Sequence, residues 1–109
     1  MIRAAIYCRA SKNNYVLTSD RERGEAFARE KGLEIVDIVT DIGSRPVLER
    51  PGIRRLLSLA SSRKIDVIVA DSMFTFSGFR ANANKLENYL ALLDELQEYD
   101  VHVRLLDSG

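Results

Sequence analysis

Residues 6–11 read Ile-Tyr-Cys-Arg-Ala-Ser. An apolar lead-in, Ala4-Ala5-Ile6, runs into Tyr7, Cys8 and Arg9, and the run breaks at Ser11-Lys12-Asn13-Asn14, which is turn-like. A first strand that ends by presenting an arginine and a serine fits an open α/β sheet, where ligands sit beyond the carboxyl ends of the strands. The fold therefore rests on whether strands and helices alternate after this stretch.

Outward from it, they do. Residues 2–8 predict a buried strand and 10–18 an irregular polar loop. Thr18-Ser19 with Glu22 matches a capping box, which starts a helix at Asp20 that runs to Lys31 and stops at Gly32. Leu33 to Val39 is β-branched and alternating, a second strand, with Thr40-Asp41 at its end. After a loop over 42–50, Pro51 opens a helix whose apolar stripe is Ile53, Leu56, Leu57 and Ala60, with Arg54 and Arg55 on the other face. Residues 65–70 are an apolar third strand, the kind that a parallel sheet covers on both faces. Residues 71–84 are irregular, 84–98 carry leucines at helical spacing, and Val101 to Leu106 form a fourth strand. The order βαβαβαβ predicts a three-layer α/β/α sandwich with a mainly parallel four-stranded sheet and right-handed crossovers.

The totals bound the function. With 109 residues the chain is one domain, 1–109, and 46% hydrophobic with 29% charged residues is ordinary globular composition. Zero net charge argues against a uniform nucleic-acid or membrane footprint, while leaving room for a local basic patch such as Arg54, Arg55, Arg63 and Lys64. The lone Cys8 excludes an internal disulfide and a cysteine-based zinc site. No apolar run approaches membrane-spanning length and no leader is visible, so a cytoplasmic protein with no membrane partner is expected. The single His102 sits in an apolar alternation and is expected to be structural.

The predicted topology brings Arg9, Ser11, Asp41 and Asp71 to the carboxyl ends of the strands. No glycine-rich phosphate loop or Walker sequence follows a strand, and no His, Cys and carboxylate cluster suggests a metal, so no cofactor and no metal are expected. Asp41 and Asp71 would suit magnesium in a receiver-like domain, but that reading wants acidic residues where Arg9 and Ser11 stand. A serine beside an arginine suggests a nucleophile with a phosphate clamp, because arginine grips phosphate oxygens in a bidentate fork. Taken alone, a serine after a strand is an ordinary turn residue.

Tyr7-Cys8-Arg9-Ala10-Ser11 resembles the Tyr-x-Arg-x-Ser motif of serine site-specific recombinases, the resolvases and DNA invertases. Val39-Thr40-Asp41, Leu48-Glu49-Arg50-Pro51-Gly52, Asp66-Val67-Ile68-Val69 and Val103-Arg104-Leu105-Leu106-Asp107 resemble later segments of the same catalytic domain, in the same order. The resemblance implies a resolvase-like fold, DNA as partner and assembly into homo-oligomers. It implies Ser11 as the nucleophile that forms a 5′-phosphoserine link, Arg9 and Arg50 as phosphate-binding groups, Tyr7 and Asp41 in support, and no metal, since arginines neutralise the phosphate. Such transfer depends mostly on positioning and electrostatics.

Two departures accompany the resemblance. Counted forward from Asp66, the family's Asp-Arg-x-x-Arg element falls on Phe74, Thr75 and Gly78, and counted back from the last strand it falls on Arg80-Ala81-Asn82-Ala83-Asn84; neither register restores it, so two arginines are missing, and Arg45 and Arg80 are the candidate substitutes. As one domain over 1–109, the sequence is expected to be without the long oligomerisation helix and the DNA-binding module that follow the last strand in the family. The sequence thus predicts a recombinase catalytic domain with impaired chemistry. One rival is a non-catalytic regulatory or protein-interaction module that uses Phe74 to Phe79 as a docking surface. A second is a small-molecule or phosphate-binding domain unrelated to DNA. Phe74 and Phe76 otherwise read as core filling, Cys8 as a core thiol and Tyr7 as a brace for the strand end. Asp41 has two open roles, orienting an arginine or capping the next turn.

Overall fold

The computed structural model describes residues 1–10, 15–43, 45–77 and 83–108. Four parallel strands lie in the order β2-β1-β3-β4, with β1 Arg3–Ala10, β2 Glu34–Ile42, β3 Val67–Ala70 and β4 His102–Leu105. The helices are α1 Tyr15–Glu30, α2 Pro51–Ser61, the single turn α3 Phe74–Ser77 and α4 Ala83–Gln97, with short 3₁₀ turns at Val47–Glu49 and Leu106–Ser108. The expected sandwich is present.

β1 lies between β2 and β3, which is why its apolar run has no polar face. Ala5 and Tyr7 point to one side and pack with Ile53 and Leu56 of α2, Phe76 of α3 and Leu92 and Leu96 of α4. Ala4, Ile6, Cys8 and Ala10 point to the other side, where α1 supplies Leu17 and Phe27. The alternation of one strand thus fills both cores.

Several bounds differ from the sequence reading: β1 runs on to Ala10, and larger differences fall at α1, β2 and residues 71–84. α1 starts at Tyr15, so Thr18 and Ser19 lie inside a helix instead of capping one. Leu17 is buried against the β1 side chains, and that tertiary contact outweighs the local capping signal. Its end is as expected: Gly32 takes φ +68°, Leu33 N–H donates to the Ala28 carbonyl at 2.8 Å and Gly32 N–H to the Arg29 carbonyl at 3.2 Å, a Schellman closure. β2 continues to Ile42 because its end stays paired with β1, residue by residue, up to Ala10↔Ile42. Within 71–84, α3 is an additional helix.

A bulge sits in β2, where Ala4 pairs with Ile35 but Ala5 pairs with Asp37, leaving Val36 as the extra residue. A one-residue slip flips every later side chain to the other face. Beyond the bulge Tyr7 pairs with Val39 and Arg9 with Asp41, and Val39 and Asp41 are buried while Thr40 is exposed. The bulge therefore delivers Asp41 to the same face as Tyr7. Among the described residues no helix is long and apolar enough to cross a membrane.

Candidate active site

Tyr7, Arg9, Asp41 and Arg50 come together at the carboxyl ends of β1 and β2, beside the start of α2. Tyr7 Oη donates to Asp41 Oδ2 at 2.9 Å and accepts from Arg50 Nη1 at 3.3 Å. Asp41 Oδ1 accepts the Gly52 N–H at 2.9 Å. The carboxylate thus caps the first turn of α2 from outside the local sequence, where the helix dipole favours a negative charge. Of the two roles open for Asp41, the hydrogen bonds show the cap, reached through space and not along the following turn.

Arg50 is 5% exposed. Its Nε donates to the Arg45 carbonyl at 3.0 Å, Nη1 to the Thr75 carbonyl at 2.9 Å and Nη2 to the Phe76 carbonyl at 2.6 Å. A guanidinium has five N–H donors in a rigid fork, and here the fork ties the 45–50 loop to α3. Arg9 lies half-buried and gives both Nε (2.9 Å) and Nη2 (2.7 Å) to the Gly43 carbonyl. Among the described residues no carboxylate makes an ion pair with Arg9 or Arg50.

The electrostatics follow from this placement. Burial lowers Arg9 from its ordinary value, and the adjacent Arg50 cation adds to the effect. Burial raises the Tyr7 phenol well above its ordinary value against the opposing pull of Arg50, so Tyr7 remains a neutral donor. Two neighbouring cations that, among the described residues, have no ion-paired carboxylate, with Asp41 acting on Arg9 only through space, make a place suited to an anion. Beside them lies a cleft of about 190 Å³ lined by Asp41, Ile42, Gly43, Arg45, Arg50 and Pro51.

Of the expected site residues, Asp41, Arg45 and Arg50 line this cleft. Ser11 and Arg80 lie outside the described residues. Asp71 departs from the expected grouping: its carboxylate pairs with Arg23 of α1 at 2.7 Å, and Arg23 also pairs with Asp20. Asp71 thus serves the α1 side of the sheet, away from the Tyr7 network. The two phenylalanines divide. Phe76 is core, stacked between Tyr7 (5.4 Å) and Tyr89 (5.1 Å), whereas Phe74 is 44% exposed. His102 is exposed on β4, and Cys8 is buried with its thiol pushed up to about 12 by burial.

Sequence reasoning missed the partners that are backbone atoms: the carbonyls of Gly43, Arg45, Thr75 and Phe76 and the Gly52 N–H. Only Gly52 left a trace. An added Cβ there would stand 2.8 Å from Asp41 Cγ and 2.9 Å from Val39 Cγ1, so the cap requires glycine.

A family model described as the N-terminal domain of resolvases matches residues 4–109. No curated protein sequence matches the chain. Among solved structures, the chain is similar to the C-terminal catalytic domain of ISC1926 TnpA, an IS607-like serine recombinase, with TM-score 0.80, 22% identity, 96% of this chain and 70% of that one covered. The N-terminal catalytic domain of TP901-1 integrase gives TM-score 0.79 and 21% identity over 96% of this chain and 77% of that one. A resolvase family site-specific recombinase from Streptococcus pneumoniae gives TM-score 0.77 and 22% identity over 100% and 74%.

Proposed function

The chain belongs to the resolvase N-terminal domain family, and from that membership we propose that it is the catalytic domain of a site-specific DNA recombinase that cuts with Ser11. The observation that carries the reading is the pairing of Arg9 and Arg50 as neighbouring cations, without a carboxylate partner among the described residues, at the strand ends where the chain leads from Ala10 into Ser11. A DNA phosphate supplies the missing anion. The Ser11 Oγ–phosphorus bond forms as the bond to the 3′ oxygen breaks, the serine proton leaves, and the 3′ oxygen takes up a proton to become a hydroxyl. Reversal after strand exchange rejoins the DNA, with copies of the chain assembled around it.

The transfer is slow in this chain. Phe74, Thr75 and Gly78 stand where the family carries an aspartate and two arginines, and one arginine acting on a transferring phosphoryl group is worth roughly 10³–10⁵ in rate. Arg45, on the rim of the cleft, is the described substitute. One observation favours a second reading, a non-catalytic module on the same fold: Arg50 spends its fork on the chain's own carbonyls.

A nicked suicide duplex carrying the cognate site separates the two. The expected result is slow accumulation of a covalent protein–DNA adduct that is absent with Ser11→Ala. Rapid adduct formation overturns the impairment, and specific DNA binding with no adduct at any time overturns catalysis and leaves the module.

A further inference from the structure

We propose that the cavity on the α1 side of β3 and β4 binds a small amphipathic carboxylate, an alkyl or aryl body ending in one anionic group. The cavity measures about 500 Å³, inside the range of about 300–1,000 Å³ that ligand pockets occupy. Ile2, Leu33 and Asp66 on its wall are the residues just before β1, β2 and β3. It therefore lies toward the amino ends of the strands, at the opposite end of the sheet from the Tyr7–Arg50 network.

The topology makes room for it. α2, α3 and α4 pack on the face that carries Ala5 and Tyr7, while on the other face the described helix side chains come from α1. α1 lies mainly over β1 and β2, so β3 and β4 keep an open flank beside it. On β4, Val103 and Leu105 join the first core, and the alternating His102 and Arg104 are exposed on this flank. β4 thus carries charge where a strand covered by apolar side chains would carry valine or isoleucine.

The lining divides into an apolar wall and a cationic rim. Ile2, Phe27, Leu33 and Val67 form the wall. Over it stand Arg104, with Cζ 5.4 Å from the Phe27 ring centroid, and Lys31, with Nζ at 6.0 Å. Among the described residues neither cation meets a carboxylate. Two carboxylates share the cavity. Asp66 is engaged by Arg3: its Oδ2 accepts the Arg3 N–H at 2.8 Å and Nε at 3.2 Å, and its Oδ1 accepts Nη2 at 3.2 Å. Asp100 remains, so two cations face one carboxylate left without an ion pair among the described residues. A ligand carboxylate finds charged donors here, arginine's fork being the better fit. Its hydrocarbon part covers the Phe27 wall. A neutral chain would use the wall alone, and an ammonium would meet like charge.

The full chain is titrated in a calorimeter with octanoate, octanol and octylammonium. Octanoate should bind one per chain. Octanol should bind about tenfold more weakly, the loss of one charge-assisted hydrogen bond, and octylammonium more weakly again. Arg104→Gln should weaken octanoate about tenfold and leave octanol as it was, a split that a misfolded variant would not give. Lys31→Gln should act in the same direction. Equal affinity for the three probes overturns the assignment in favour of plain apolar contact. Loss of octanoate binding in Arg45→Gln, with Arg104→Gln unaffected, moves the anion to the cleft at the carboxyl ends of the strands and also overturns it. Sedimentation covers the other occupant: self-association that Arg104→Glu abolishes and octanoate leaves intact gives this flank to a second copy. Absence of octanoate binding overturns the assignment outright. The recombinase reading is untouched by any of these outcomes, since it stands or falls on the DNA adduct.

Discussion

Arg50 brings a full charge into a nearly dry position, yet its hydrogen bonds go to neutral groups: three carbonyls and a phenol. A buried cation with no carboxylate partner among the described residues costs desolvation that neutral acceptors only partly return. What it provides here is connection, since one side chain ties β1, the 45–50 loop and α3 together. Arg50→Ala should therefore destabilise the protein by about 3 kcal/mol, because it leaves buried carbonyls without donors. Arg50→Lys should recover only part of that, an ammonium being unable to reproduce the fork. Urea unfolding measures both losses, and hydrogen exchange at the Phe76 and Ser77 amides should accelerate in step, since those amides close α3 on Met73. A stability change under about 0.5 kcal/mol, within the usual scatter of surface substitutions, would sink the tether. Tyr7→Phe is the finer probe. It keeps the stack on Phe76 but removes the hydroxyl between Arg50 and Asp41, and should cost about 1 kcal/mol.

At the scale of elements, the site depends on two devices, the bulge in β2 and the start of α2. The bulge turns Asp41 inward, and α2 begins with Pro51-Gly52, whose glycine lets the carboxylate approach its N–H. Gly52→Ala should push Asp41 off the cap and cost about 1–3 kcal/mol, as overpacking does. The loss should shrink in an Asp41→Ala background, where only the crowding against Val39 Cγ1 remains, which a double-mutant cycle in urea would register as coupling; strict additivity would mean that the two residues do not meet. These devices also mark where the sequence was legible. The strands were readable because β1 and β3 are apolar runs and β2 is β-branched, and the glycine at the end of α1 announced itself. The bulge at Val36 was not readable, since Leu33 to Val39 looks like an unbroken strand with or without it. The start of α1 was misplaced because Leu17 is drawn in by a core that no local window contains. For the site, Tyr7, Arg9, Asp41 and Arg50 were visible as residue types, but what Arg50 holds was not. Its partners are peptide carbonyls, and every residue carries one.

Across the whole molecule, Cys8 is a natural reporter of cooperativity. It is fully buried in the strand that pairs on both sides and fills both cores, so its thiol reaches solvent only when the sheet opens. With stability of about 5 kcal/mol or more, a thiol reagent at pH 8 should label the native chain at least roughly 10³-fold more slowly than the chain in urea. The same burial gives a pH signature. The thiol is raised from its ordinary 9.0 to about 12 in the folded chain. Between those values the unfolded state has lost a proton that the folded state keeps. Stability from this group is therefore complete below about pH 9 and declines as pH rises toward 12, by up to about 1.4 kcal/mol per pH unit. Cys8→Ala removes that dependence while leaving the one that Tyr7 contributes at higher pH. The difference in unfolding free energy between wild type and Cys8→Ala should be flat from pH 7 to 9 and then change steadily against the wild type. A difference that stays flat to pH 11, or native labelling as fast as in urea, would mean that β1 is open to solvent and that the packing around Tyr7 and Arg50 is not what holds the site in place.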